Sequence, residues 1–159
     1  MNIFYVDECP IKAGKVLADK HIVKMPLESA QMLSTAHHLT SKNKELNTRL
    51  YEIAHPNHPS TIWARQSTAH YHWLLDHFVS LCNEFEERFN KEHKCFDLID
   101  ILCNLPKGIT NNSFSPPPQC MPNEFKGEDT VQAYRNYYHS KTWITEDSWK
   151  QNKPNWFTN

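Results

Sequence analysis

The amino-acid sequence predicts a mainly α-helical protein, a single compact helical domain over residues 1–159 with a short N-terminal extended arm and a long Pro-rich loop. Three observations carry this. Apolar residues recur at helical spacing over long stretches, one opening near Ile11 and one covering Ser60 to Phe89. Only three glycines occur, too few for a turn-rich all-β fold, which needs residues at positive φ. The ten prolines fall mainly at breaks between helical stretches, where a residue without an N–H does least harm. A hydrophobic content of 39% and an aromatic content of 12% are those of a packed globule.

In chain order, Ile3 to Val6 (IFYV) is β-branched and aromatic, and reads as a short buried strand or extended arm. Pro10 opens a helix from about Ile11. Pro26 is expected to interrupt it, by a kink or by starting a second helix, because proline opposes the carbonyl of Ile22. Lys42 to Arg49 is a polar connection into a short segment, Leu50 to Ala54. His55 to Pro59 (HPNHP) is a stiff turn, since each proline biases its predecessor toward extended backbone. A long helix follows over Ser60 to Phe89, then another over about Cys95 to Leu105. Pro106 to Gly127 has no helical period and is a long loop of the kind that is mobile or functional. Asp129 can cap a helix over Thr130 to His139, and the tail carries Trp143, Trp149 and Trp156 to pack back onto the body.

Lysine and arginine number 17 against 18 aspartates and glutamates, a net charge of −1. Tight, sequence-blind binding of duplex DNA through many phosphates usually comes with a basic excess, so charge points toward small anionic ligands. The five cysteines are odd in number and contain no C-x-x-C pair, which favours free thiols in a reducing cytosol. The N-terminus is no signal peptide, and no apolar run approaches the ~20 residues that span a bilayer. The expectation is a soluble cytoplasmic protein with no membrane partner; a homo-oligomer is allowed.

Candidate chemistry concentrates in Asp19 to His38, DKHIVKMPLESAQMLSTAHH. At 100° per residue, apolar positions cover roughly 220° of the helix, while Lys20, His21, Lys24, Glu28, Gln31, Thr35 and His38 share roughly 100°. That strip is either the solvent side, with a Lys24–Glu28 pair one turn apart, or the wall of a site where imidazole, ammonium and carboxylate converge. His58 precedes a helix start, where backbone N–H groups favour an anion; Asn57 adjoins it, Arg65 lies less than two turns on, and Trp63 could stack on a base. Tyr134, Arg135, Tyr137 and Tyr138 could likewise stack on a base and pair with a phosphate, although tyrosines so spaced also build cores. Neither H-E-x-x-H nor a Cys/His zinc spacing is present, so no metal and no cofactor is expected.

The stretch LADKH (Leu17 to His21), with Glu28 nine residues after Asp19, resembles the phage pyrimidine-dimer DNA glycosylases, small helical enzymes with an LADQH-like stretch and a catalytic glutamate at that distance. The wider chain looks like proteins of marine tailed phages in that superfamily, through DKHIVKMPLESAQMLSTAH, NHPSTIWAR, QCMPNEFK, AYRNYY and PNWF. The resemblance implies that Glu28 takes the place of the catalytic glutamate and His21 that of the neighbouring histidine. It also implies a nucleophile, the α-amine of an N-terminal threonine. Here Asn2 follows Met1, a side chain of a size that normally blocks removal of Met1, and the arm before LADKH is five residues longer, so the amine need not reach Glu28. The arginines that flank the glutamate and hold DNA in that family correspond to Leu27 and Gln31.

The preferred reading is therefore a phage protein, acting in the cytoplasm of an infected host cell, that cleaves a small nucleotide or cyclic nucleotide, such as a defence signal, without metal. Glu28 or His21 would be general base, His58 general acid, and Lys24 and Arg65 would stabilise phosphate charge. The alternatives are a base-excision glycosylase and strand nicker acting on damaged DNA through Met1's amine or Lys24, and a non-catalytic protein that sequesters a nucleotide.

Overall fold

Pro26 does not break the first helical region; the break lies earlier, at Val16–Ala18. The structure, a computed structural model, describes residues 1–158. Helix α1 spans Pro10–Lys15 and α2 spans Asp19–Thr40, with Pro26 buried inside a continuous α2. An interior proline costs about 3 kcal/mol, which a 22-residue helix with most of its girth buried can absorb through packing. The chain can stop at Val16–Ala18 because distant side chains take its backbone groups. Arg88 donates to the carbonyls of Lys15 and Leu17, Trp149 Nε1 donates to that of Val16, and the Ala18 N–H is accepted by the Tyr138 hydroxyl. Buried backbone polar groups need such partners.

The long second helix is also two. Helix α3 is a single turn, Lys44–Asn47, inside the connection read as irregular, and Asn43 caps it. Helix α4 spans Pro59–Gln66 and α5 spans Thr68–Phe89. Between them Ser67 is extended (φ −151°, ψ 146°), and its hydroxyl accepts from the Ala69 N–H as the cap of α5. The loop fixes this corner, with Thr68 N–H donating to the Asn111 carbonyl and the Ser67 hydroxyl to that of Ser113. Cys95 to Leu105 is not one helix but a 3₁₀ turn, Lys94–Leu98, followed by α6, Ile99–Leu102. Helix α7, Thr130–His139, starts as expected, with the Asp129 carboxylate accepting from the Gln132 N–H at 3.0 Å.

Helix α5 is the central element: α1 and α2 pack on it, and α4 packs against both α2 and α5. The fold is all-helical, with no strand among the described residues. Ile3 to Val6 is an arm, not a strand, and is buried. Its backbone is held by side chains, Arg135 Nε donating to the Val6 carbonyl at 2.8 Å. Phe4 takes φ 57°, a conformation costly for a bulky residue, and its ring stacks on His21 at 4.2 Å. One apolar cluster joins arm, helices and the tail residues Trp149 and Phe157. No helix among the described residues is long and apolar enough to cross a membrane.

Candidate functional site at the N-terminus

The arm brings the start of the chain to α2. The backbone N–H of Asn2 donates to Glu28 Oε2 at 2.9 Å, and Lys24 Nζ lies 3.3 Å from Glu28 Oε1. Each oxygen of this carboxylate, whose side chain is only 13% exposed, thus faces a different donor. The sequence left open whether the N-terminus reaches Glu28; in the structure residue 2 touches it. Asn2 makes the turn that achieves this. Its Oδ1 accepts from the N–H groups of Ile3 and Phe4, and its Nδ2 donates to the Cys120 carbonyl at 3.0 Å. The Pro-rich loop therefore anchors the arm.

Around Glu28 lies a cavity of about 440 Å³, walled by Met1, Asn2, Phe4, Lys20, His21, Lys24, Met25 and Glu28 on one side and by Tyr137, Lys141 and Trp143 on the other. His21 is buried, and burial, with Lys141 and Lys24 nearby, pushes its pKa down to about 3. Its Nδ1 lies 2.8 Å from the Tyr138 hydroxyl. That hydroxyl accepts from Ala18 N–H, and the acceptor left for its own hydrogen among the described residues is His21 Nδ1, which puts the His21 proton on Nε2. A neutral imidazole held this way suits hydrogen-bond donation into the cavity better than proton abstraction.

Three lysines face one carboxylate in this wall. Lys24 pairs with Glu28, whereas among the described residues neither Lys20 nor Lys141 pairs with a carboxylate. Lys141 Nζ sits 4.1 Å from the Tyr137 ring centre and 5.4 Å from that of Phe4, and Lys20 Nζ sits 5.2 Å from that of Trp143.

The remaining candidates lie elsewhere or are engaged. His58 caps α4, its Nδ1 accepting from Ser60 N–H. It does not wall the cavity, yet the electrostatics link it to the site: burial lowers its pKa, the positive N-terminus and His55 lower it further, and Glu28 pulls it back up. Asn57 is exposed in the preceding turn. Trp63 is buried and stacked on His70 at 4.4 Å, with Nε1 donating to the Ser115 carbonyl. Arg65 donates to the Thr61 carbonyl of its own helix. Tyr134 and Tyr138 are fully buried; Tyr134 donates to the Pro118 carbonyl and accepts from Cys120 N–H. Arg135 holds the arm and lies over Trp156. Gln31 is half-buried one turn past Glu28, and His38 bonds the Tyr51 carbonyl near the far end of α2. The polar strip is thus divided, with Lys20, His21, Lys24 and Glu28 on the cavity. Sequence reasoning missed Lys141, Phe4 and Trp143 as wall residues; the one available signal was the aromatic content of residues 137–143 next to a lysine. No group of three or more His, Cys, Asp or Glu that could hold a metal occurs among the described residues.

No curated protein and no solved structure matches the chain at a significant level. Residues 1–97, which carry the arm, α1, α2, α4 and α5, match the sequence model of the pyrimidine dimer DNA glycosylases. With more than half of its residues matched, the chain belongs to the pyrimidine dimer DNA glycosylase family.

Proposed function

We propose that the cavity carries out amine-dependent excision on damaged DNA, with the N-terminal α-amine as nucleophile and Glu28 as the carboxylate that serves it. The observation that carries this reading is the 2.9 Å contact between the backbone nitrogen of residue 2 and Glu28 Oε2. The amine attacks C1′ of the sugar and the glycosidic bond breaks with its electron pair leaving on the base; one proton then leaves nitrogen, and the C1′–O4′ bond opens with its electron pair and that proton going to O4′, which leaves a protonated imine. In this reading Glu28 takes the proton from nitrogen and returns it to O4′, and His21 Nε2–H donates a hydrogen bond to the developing negative oxygen. With Met1 retained, as the size of Asn2 implies, the nucleophile is the Met1 amine, one residue from the backbone nitrogen that meets Glu28.

The test is reduction by borohydride in the presence of damaged DNA. Wild-type protein should be trapped covalently, the adduct mapping to the N-terminal peptide, and Glu28→Gln should lose at least about 100-fold in trapping rate, the size of a general acid–base contribution. An adduct on Lys24, or full trapping by Glu28→Gln, overturns the reading. Metal-independent cleavage of a small nucleotide is a second reading, motivated by a net charge of −1. A non-catalytic nucleotide-sequestering protein would use the same cavity without bond cleavage.

A further inference from the structure

Tyr134 is fully buried on α7, its ring edge-on to Phe4 of the arm, yet its hydroxyl serves the Pro-rich loop. The hydroxyl donates to the Pro118 carbonyl at 2.7 Å and accepts from the Cys120 N–H at 3.3 Å, so it grips the loop on both sides of Gln119. The loop turns twice in succession here. Cys120 N–H also donates to the Pro118 carbonyl, and Met121 N–H to that of Gln119, each at 3.0 Å. Bonds between residues two apart make γ-turns, the tightest turns of the chain. Two in a row set the direction of the Cys120 carbonyl, which accepts from Asn2 Nδ2 at 3.0 Å. The Gln119 side chain ties the same segment to the loop's end: its Oε1 accepts from the Gly127 N–H, and its Nε2 donates to the Gly127 carbonyl.

Residue 2 is bonded to other elements through its side chain, to Cys120, and through its backbone, to Glu28. Arg135, the next residue of α7, holds the arm further along, at Val6. Where the chain start sits thus depends on where the Cys120 carbonyl points. We propose that Tyr134 is a positioning residue: by fixing residues 118–120 it holds the N-terminus against Glu28, and so sets where the Met1 amine stands in the cavity. The inference rests on the proposed function for the chemistry it affects, and on geometry alone for the seat of the arm. Tyr134 and the loop lie beyond residue 97, where the family match ends. The matched segment, which carries both the amine and Glu28, therefore relies on the unmatched one to bring them together. Such placement matters because a shift of about 1 Å in reacting groups can cost about 100-fold in rate.

Tyr134→Phe keeps the ring and removes the grip. Three measurements on the full chain read the result: amide hydrogen exchange of the N-terminal peptide, borohydride trapping on an oligonucleotide duplex bearing an abasic site, and the urea midpoint. Exchange in residues 3–6 should quicken about tenfold as the arm loosens. The trapping rate at saturating duplex should fall about tenfold, while the half-saturating concentration and the urea midpoint stay near wild type. A merely structural role would move the midpoint and spare the saturated rate. Gln119→Leu, which frees the same segment from its other side, should give the same pattern. Added to Asn2→Leu, Tyr134→Phe should cost nothing further, because both act through one bond. Tyr51→Phe, which removes a hydroxyl bonded to Cys95, should match wild type throughout. Wild-type exchange in Tyr134→Phe overturns the proposal, as do faster exchange with an unchanged trapping rate and a further loss on top of Asn2→Leu. No adduct from the wild-type protein would sink the amine chemistry instead, and exchange alone would then decide whether Tyr134 sets the seat of the N-terminus.

Discussion

Asn2 carries more of the site than its place at the chain start suggests. Its side chain accepts twice from its own turn and donates across to Cys120, and its backbone nitrogen meets Glu28. Each such bond contributes about 1 kcal/mol net, so losing the side chain frees the arm locally without unfolding α2 and α5. Asn2→Leu is the useful variant, because a side chain of that size also keeps Met1 in place. It should lower the borohydride trapping rate at least tenfold while the thermal midpoint stays within a few degrees; wild-type trapping would remove the positioning role of Asn2. Lys24 and Glu28 were legible in the sequence because one helical turn puts them together whatever the rest of the chain does. Lys141 and Trp143 were not, because only the tertiary fold brings residue 138 to residue 21. The wheel erred in the same way at Val23, which is exposed, and at Thr35, which is buried and bonded to Ala54. A helix packed on several sides has no single solvent face for a pattern to find.

At the scale of elements, helix type was readable and helix ends were not. Periodicity marks α2 and α5 well, but the end of α1 and the start of α2 depend on Arg88, some 70 positions away. Its guanidinium donates to the Lys15 and Leu17 carbonyls, to Asp19 Oδ1 at 2.9 Å and to Glu84 Oε1 at 2.7 Å, and its side chain is fully buried. Glu84 in turn accepts from Gln151 and Asn152 of the tail. One residue thus joins α1, α2, α5 and the C-terminal segment, and it sets where α2 begins, hence where His21 and Glu28 point. Removing one partner of a buried ion pair leaves the other uncompensated, at about 3–5 kcal/mol. Arg88→Met should lower the free energy of urea unfolding by that amount, and adding Glu84→Gln should recover part of it by removing the stranded charge. A loss under about 1 kcal/mol in Arg88→Met would mean that the helix break holds without the network. Similarly, no local signal separates α4 from α5: the corner at Ser67 is fixed by residues 111 and 113 of the loop.

For the whole molecule, the buried histidines make folding sensitive to acid. Burial is the first cause in each case: the pKa of His21 falls to about 3, and those of His37 and His77 to about 4. Burial keeps each neutral, and a specific bond fixes its tautomer. His77 Nδ1–H donates to the Pro10 carbonyl, and His37 Nε2–H donates to the Tyr71 hydroxyl, whose own hydrogen is committed to Leu102. An unfolded histidine titrates near 6.5, above all three folded values, so between these limits the unfolded chain binds more protons. Their contribution is complete above pH ~6.5 and is lost as pH falls toward the folded values. At pH 5 each group lies about 1.5 units below its unfolded pKa, which costs about 2 kcal/mol apiece at 1.36 kcal/mol per unit. Three such losses rival the whole stability of a domain, about 5–15 kcal/mol. Urea midpoints should therefore fall steeply from pH 7 to pH 5. His37→Gln and His77→Gln should each flatten that slope, whatever they do to stability at pH 7. The site shares the same fate, since charging His21 would set a second donor against the Tyr138 hydroxyl that orients it. A midpoint unchanged between pH 7 and pH 5 would mean that the three imidazoles find water or a counter-charge in the folded protein, and that His21 is free to act as a base after all.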